Sequence, residues 1–134
     1  MSVTPGRNNA GTGSSIVKRV FATKTGTTAS TIWTPATGKA IYLRGGQLRT
    51  WVATALVGAT PGDGVYVMSA TTPFACIAVI KTATDAAGVD YGFVTFDSAG
   101  FPVDAINTPL TINTGGTIGA GVIQFCGYVW GDEA

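Results

Sequence analysis

Aspartates are the residues of this sequence best suited to acid–base or metal chemistry. Five of them, Asp63, Asp85, Asp90, Asp97 and Asp104, are spread over the second half of the chain. If they gathered in one place, their carboxylates could coordinate Ca²⁺ or act as the paired acid and base of a glycosidase. Their spacing matches no EF-hand loop, and an aspartate in a turn usually bonds to its own backbone. We therefore predict no metal, no cofactor and no enzymatic activity.

Other catalytic residue types are scarce. Histidine is absent from the 134 residues, which removes imidazole as a general base, zinc ligand or pH switch. The glycine-rich segments, including Gly38-Lys39, lack the spacing of a phosphate-binding loop. Cys76 and Cys126 both lie in apolar runs and are predicted to be buried thiols, with a disulfide between paired strands as an alternative.

The charged residues are few, and they are divided by sign along the chain. They make up 11% of the sequence, with a formal net charge of +1. Residues 1–60 contain seven Lys and Arg and no acidic residue, whereas residues 61–134 contain one Lys and all seven acidic residues. Either the two sheets carry opposite charges, or a basic region of one subunit meets an acidic face of its neighbour. The pI of about 7.8 argues against nucleic-acid binding, for which a pI above about 9 is usual.

Short β-prone runs separated by turn-forming residues occupy the chain from residue 16 onward. Turn segments such as Thr34–Gly38 and Thr60–Gly64 supply the fixed φ of proline or the positive φ of glycine. Strands at intervals of about 8–12 residues are typical of an antiparallel sandwich. We predict an all-β, antiparallel, jelly-roll-like β-sandwich of about eight strands. The candidate strands are Ile16–Ala22, Ser30–Thr34, Ala40–Arg44, Gln47–Thr54, Gly64–Ser69, Phe74–Ile80, Val89–Phe96, Pro109–Asn113 and Thr117–Trp130.

Residues 1–15 differ in composition from the rest of the chain. They are rich in Gly, Ser, Asn and Thr and contain almost nothing to bury, which predicts a flexible N-terminal arm before a single domain over residues 16–134. The segment lacks the apolar centre of a secretory signal, so we expect folding in the reducing compartment of synthesis. No stretch approaches the roughly 18 apolar residues of a membrane span, so no membrane association is predicted.

Two segments resemble small β-sandwich structural proteins of tailed-bacteriophage virions. The first is Ser30–Lys39, STIWTPATGK, followed by a strand from Ile41; the second is Pro109–Asn113, followed by a glycine-rich turn and a long strand with Gly127-Tyr128-Val129. The resemblance covers residues 16–130. It implies a capsid decoration (cement) or head-fibre protein that assembles as an oligomer, often a trimer, with an N-terminal arm on a neighbour. It carries over no catalytic residue.

The sequence and the resemblance together predict a non-enzymatic bacteriophage virion protein on the capsid surface, synthesised in the host cytoplasm. Its expected partners are adjacent major capsid subunits and neighbouring copies of itself, with a homotrimer favoured and no nucleic acid or membrane involved. The predicted partner-binding residues are the basic side chains of the arm and the first strand: Arg7, Lys18, Arg19 and Lys24.

Two alternative functions fit the same composition. A tail or fibre module could act in assembly or recognise host-surface glycans through aromatic residues such as Trp33, Trp51 and Trp130, although packing in cores and subunit interfaces is their commoner role. A hydrolase would require two of the aspartates to converge in one cleft.

Overall fold

All regular secondary structure in the described part of the chain is β-strand. The computed structural model describes residues 15–26, 28–102 and 105–134, and for residues 98–102 it describes the backbone alone. Apart from residue 15, the predicted arm lies outside the described residues. Within them there is no helix of the length and apolarity needed to cross a membrane. The strands are β1 (Ile16–Lys24), β2 (Ser30–Trp33), β3 (Ile41–Val57), β4 (Gly64–Ser69), β5 (Thr72–Val79), β6 (Asp90–Pro102), β7 (Leu110–Thr114) and β8 (Ala120–Glu133).

The strands form two antiparallel sheets of four. The first sheet has the order β1-β8-β3-β6, and the second has the order β2-β7-β4-β5. β1 pairs with β8, β2 with β7, β3 with β6 and β4 with β5. This pairing results when one long antiparallel hairpin of four strand pairs is rolled up, which is the arrangement of a jelly roll. The prediction of an antiparallel, jelly-roll-like sandwich of about eight strands is confirmed.

One apolar cluster fills the space between the two sheets. The first sheet contributes side chains such as Leu48 and Val129, and the second contributes Val67 and Ile112, all of them fully buried. These residues alternate with more exposed neighbours along their strands, as expected when one face of each sheet is covered. Burial of this shared core is what holds the two sheets face to face.

The strand boundaries differ from the prediction most clearly in β3. The sequence predicted a break at Gly45-Gly46, between strands Ala40–Arg44 and Gln47–Thr54, but β3 continues through both glycines. A register shift next to Gly45 marks a β-bulge against both neighbouring strands. The nine predicted strands are therefore eight.

Close packing explains the two glycines of β3. A Cβ on Gly46 would lie 2.6 Å from Cζ of Phe96, and a Cβ on Gly45 would lie 2.9 Å from Nε1 of Trp130. The two aromatic rings thus occupy the space that side chains at these positions would need. Backbone oxygens are about as close, with that of Phe96 at 2.9 Å from the Cβ position of Gly45 and that of Tyr128 at 2.8 Å from the Cβ position of Gly46. Glycine serves here to admit close neighbours, not to form a turn.

The topology brings the basic first half of the chain beside the acidic second half. Each of β1 to β4 pairs with one of β5 to β8. In the first sheet the basic strands β1 and β3 alternate with the acidic strands β8 and β6, whereas the strands of the second sheet contain no charged residue. The interpretation in which each sheet carries its own sign is therefore wrong.

Candidate protein interface

The predicted partner-binding residues do not share one surface. β1 places Lys18 and Lys24 on the side of the strand that carries the buried Val20, and it places Arg19 on the opposite side, in solvent. Arg7 lies outside the described residues. Among the predicted residues that the structure describes, Arg19 is therefore the one that projects fully into solvent.

Lys24 occupies a position that the sequence did not suggest. Its side chain is fully buried at the end of β1, and its ammonium group donates a hydrogen bond to the carbonyl oxygen of Gly26. Burial lowers the pKa of this amine, because desolvation disfavours the charged form. In this conformation Lys24 stabilises the turn after β1 and is inaccessible to a partner.

The solvent side of the first sheet, which we call the outer face, exposes large apolar side chains. Phe21 is 74% exposed and Val17 66% exposed on β1, and Phe93 is 60% exposed on β6. Tyr128, on the inner strand β8, is 39% exposed. Large apolar and aromatic side chains that are exposed on one sheet face are typical of a surface that contacts another protein. The outer face is therefore the candidate interface.

The register aligns these side chains in rows that run across all four strands of the first sheet. The row with an aromatic residue at each edge consists of Phe21, Cys126, Arg49 and Phe93. The next row consists of Arg19, Tyr128, Gln47 and Thr95, and the one after it of Val17, Trp130, Gly45 and Asp97. Within the second row, the Tyr128 hydroxyl donates to Oε1 of Gln47 at 3.2 Å. The outer face thus combines apolar groups with a few charges, Arg19 and Asp97 at its edges and Arg49 on the inner strand β3.

Both cysteines are free and exposed, so the prediction of buried thiols is wrong. Cys126 lies on the outer face, between Phe21 and Arg49 in register, while Cys76 lies on β5 of the second sheet. Neighbours in an apolar run point to opposite sides of a strand, so such a run does not bury every member. β5 and β8 are not paired strands, and both thiols are free, so the alternative disulfide between paired strands is not formed.

A shallow pocket of about 190 Å³ lies near the β6 edge of the outer face, lined by Arg49, Trp51, Gly88 and Asp90. The Arg49 guanidinium carbon is 5.7 Å from the centroid of the Trp51 ring, and Nη2 of Arg49 donates to Oδ2 of Asp90 at 3.1 Å. The amide of Gly92 donates to the same carboxylate, and this bond together with the Arg49 charge lowers the pKa of Asp90. Arg49 therefore occupies one face of the indole on which a sugar could stack.

The described aspartates do not gather into a group that could hold a metal ion. Among the residues that the structure describes, no group of three or more ligating side chains could hold a metal ion, and Asp104 lies outside them. Asp85, the most buried of the described aspartates, accepts hydrogen bonds from the amides of Lys81 and Thr82 and from the Tyr91 hydroxyl. Burial raises the pKa of Asp85, but these bonds outweigh it and leave the pKa below its ordinary value. This carboxylate organises the loop between β5 and β6.

Comparison with known proteins adds one structural similarity. No family model matches the chain, and no curated protein matches it. Among solved structures, the chain is similar to a chain of the cyanophage Pam1 capsid asymmetric unit, with a TM-score of 0.45 and 17% sequence identity. The similarity covers 96% of this chain and 93% of the other.

Proposed function

We propose that this chain is a non-enzymatic structural protein of a bacteriophage virion, which decorates the capsid and stabilises it by binding adjacent major capsid subunits. The observation that carries the proposal is a jelly roll whose outer face exposes Phe21, Phe93 and Val17 within regular strands. Jelly rolls recur in viral capsid proteins, and large apolar side chains exposed on one sheet face fit a surface that is covered in an assembly. The resemblance of the Ser30–Lys39 segment to virion sandwich proteins supports the same function.

The proposed partners are capsid subunits and further copies of this chain, arranged as a homotrimer on the capsid surface. Several copies bound at once to a repeating lattice would hold tightly even if each contact were weak. The second sheet offers a surface suited to such packing, because its strands contain no charged residue and interface centres are depleted in charge. The chain thus has two unlike sheet faces available for two kinds of partner.

Cryo-electron microscopy of the virion that contains this chain tests the proposal. We expect density for the jelly roll on the outer surface of the head shell, between adjacent capsid subunits. Absence of the chain from the head shell would overturn the proposal. Removal of residues 1–15 tests the predicted arm separately, since capsid binding that survives unchanged would rule out a role for that segment.

A carbohydrate-binding module of a tail or fibre is the second candidate. The observation that favours it is the pocket in which Trp51 lies beside Arg49 and Asp90, since aromatic and carboxylate groups together can bind sugars. A glycan array tests this candidate, with Trp51→Ala as the control variant. Binding that disappears in Trp51→Ala would favour the second candidate, and an array without hits would eliminate it.

A further inference from the structure

The first sheet ends in two strands that lack a partner on one side. β1 and β6 are its edges, and within residues 15–26, 28–102 and 105–134 no strand pairs with the outer side of either. β1 has nine residues and β6 has thirteen, so both edges present a row of backbone amides and carbonyls. At the end of β1, the Thr23 carbonyl already accepts a hydrogen bond from the Ser30 hydroxyl. Such edges are templates for pairing with another chain unless they are blocked. Each edge also carries an exposed phenylalanine, Phe21 on β1 and Phe93 on β6.

We propose that β6 of one copy pairs with β1 of a second copy, head to tail, so that the first sheet continues from subunit to subunit. Neighbouring strands alternate in direction along the order β1-β8-β3-β6. A second β1 placed beside β6 is therefore antiparallel to it, as the rest of the sheet requires. The β6 edge of each copy is thus covered by β1 of the next copy, and its β1 edge by β6 of the previous one.

The two phenylalanines fix the register of this contact. Phe21 and Phe93 stand at opposite ends of one row, so alignment of the rows places Phe93 directly opposite Phe21 of the next copy. Antiparallel ladders alternate hydrogen-bonded and non-hydrogen-bonded pairs. Along a row of four strands, the pair type alternates at each of the three pairings. The N–H and C=O groups of Phe21 and Phe93, at the two ends of the row, therefore either both point into the sheet or both point away from it. The new pair therefore continues the hydrogen-bonding pattern and adds a cross-strand aromatic pair.

The charges of the two edges agree with the same register. With Phe93 opposite Phe21, Thr95 lies opposite Arg19 of the next copy, and Asp97 lies two residues further along β6. Diagonal neighbours of this kind have Cα atoms about 7–8 Å apart, which is within reach of an arginine side chain. Arg19 and Asp97 are both exposed on the outer face. The alternation of basic and acidic strands also continues across the contact, from the acidic β6 to the basic β1.

The contact is heterologous, since each copy contributes β6 on one side and β1 on the other. Contacts of this kind close into a ring when the rotation between copies allows it. A ring of three matches the homotrimer proposed above. The contact concerns self-association of the purified chain. A chain that does not self-associate would contradict this contact without contradicting capsid binding.

Sedimentation equilibrium on the purified chain tests the contact. Phe21→Lys and Phe93→Lys each place a charge in every β1–β6 contact and are expected to raise the dissociation constant of the assembly at least tenfold. Val79→Lys is the matched control, because Val79 is 51% exposed on β5 of the other sheet. A wild-type chain that is monomeric at about 200 µM, or an assembly unaffected by both variants, would overturn the proposal.

Disulfide cross-linking tests the register and polarity, starting from a chain with both native cysteines replaced, Cys76→Ser and Cys126→Ser. In this background Phe21→Cys and Phe93→Cys should each remain uncross-linked alone and form a cross-linked dimer when mixed. A chain with both substitutions should form cross-linked species larger than a dimer, because each copy then links to two neighbours. Products that stop at the dimer would indicate a two-fold contact and overturn the head-to-tail arrangement, as would the absence of cross-links between the mixed variants.

Discussion

Nε1 of Trp33 donates a hydrogen bond to Oε2 of Glu133 at 2.7 Å, which joins β2 of the second sheet to the last strand of the first sheet. The other carboxylate oxygen of Glu133 accepts a hydrogen bond from the amide of Ala36 at 2.9 Å. The Trp33 ring is 2% exposed, so its N–H depends on this acceptor. A single carboxylate thus connects the two sheets at one end of the sandwich.

Glu133→Ala is expected to lower the free energy of unfolding by about 1–3 kcal/mol, because it leaves the buried indole N–H of Trp33 without its acceptor. Asp132→Ala is the control from the neighbouring position. Asp132 pairs with Arg44 at 2.6 Å in a partly exposed ion pair, and such pairs contribute about 0–1 kcal/mol. Urea unfolding at pH 7 measures both variants, and equal losses would contradict the special role of Glu133.

The same carboxylate should make stability depend on pH. Burial raises the pKa of Glu133, but hydrogen bonds from Ala36 and Trp33 and the charges of Lys18 and Lys39 outweigh it, so the pKa lies below the ordinary 4.5. The unfolded chain then binds this proton more readily, so the contribution is complete above pH 4.5 and is lost as pH falls through the folded-state pKa. In urea titrations at several pH values, Glu133→Gln should reduce the acid-side loss of stability. An identical pH profile in wild type and variant would exclude this contribution.

Thr50→Val is expected to stabilise the protein. Thr50 is fully buried in β3, and its hydroxyl has no hydrogen-bond partner among the described groups. An unsatisfied buried hydroxyl costs about 1–3 kcal/mol, and valine has nearly the same shape, so we expect a gain of about 1 kcal/mol in thermal or urea unfolding. Thr111→Val is the control, since the Thr111 hydroxyl donates to the carbonyl oxygen of Met68. A loss of stability in Thr50→Val would contradict the expectation.

Asp85 and Tyr91 should be energetically coupled. The Tyr91 hydroxyl donates to Oδ2 of Asp85 at 2.5 Å, and burial together with this carboxylate raises the pKa of Tyr91 above its ordinary value. A double-mutant cycle with Asp85→Asn and Tyr91→Phe is expected to give a coupling energy of about 1–2 kcal/mol in urea unfolding. Additive losses would show that the two groups act independently.

Most strands could be predicted because local turn residues mark their ends. Features that depend on contacts between residues distant in sequence could not be predicted. β4 has the predicted bounds, Gly64–Ser69, because Pro61 and Gly62 form a turn just before it. At Gly45 of β3, a Cβ would meet the ring of Trp130, which lies 85 positions along the chain. A glycine that admits a distant ring has the same local sequence signal as a glycine in a turn, so the sequence favoured the turn.

The candidate interface was harder to predict, because the alternation in β1 does not reveal which side faces the core. One side of the strand carries Lys18, Val20 and Lys24, and the other carries Arg19 and Phe21. Both sides mix apolar and basic residues, and the larger apolar side chain belongs to the exposed side. The pairing of β1 with β8 decides the orientation, and this pairing is set by the far end of the chain. The exposure of Phe21 was therefore accessible only from the topology.

Gly127→Ala is expected to destabilise the fold by at least about 2 kcal/mol, measured by urea unfolding. Gly127 has a φ of +149°, and a Cβ at this position would lie 1.9 Å from the carbonyl oxygen of Gln47 on β3. The clash is with backbone, so no side-chain rotation can relieve it. At Gly115, by contrast, a Cβ would have its nearest neighbour at 3.6 Å in Tyr66, so Gly115→Ala is a control with little expected effect. Equal stability of the two variants would contradict the close approach of β8 to β3.

Association between copies is expected to weaken only modestly with salt, because few charges of one subunit face the next across the proposed contact. Arg44 pairs with Asp132 and Arg49 with Asp90 inside one subunit, which leaves Arg19 as the basic group facing the next copy. Screening acts within about 10 Å at 0.1 M salt. Raising NaCl from about 0.05 to about 0.5 M should therefore raise the dissociation constant a few-fold in sedimentation equilibrium.

Arg19→Gln should remove most of this salt dependence, while Arg49→Gln, whose partner Asp90 lies in the same subunit, should leave it in place. The reason is that only a charge pair formed across the contact is lost on dissociation, so only that pair makes dissociation sensitive to screening. A change of several orders of magnitude with salt, retained in Arg19→Gln, would instead mean that the whole basic half of one subunit faces the acidic half of another. The alternation of β1, β8, β3 and β6 within one sheet opposes that arrangement.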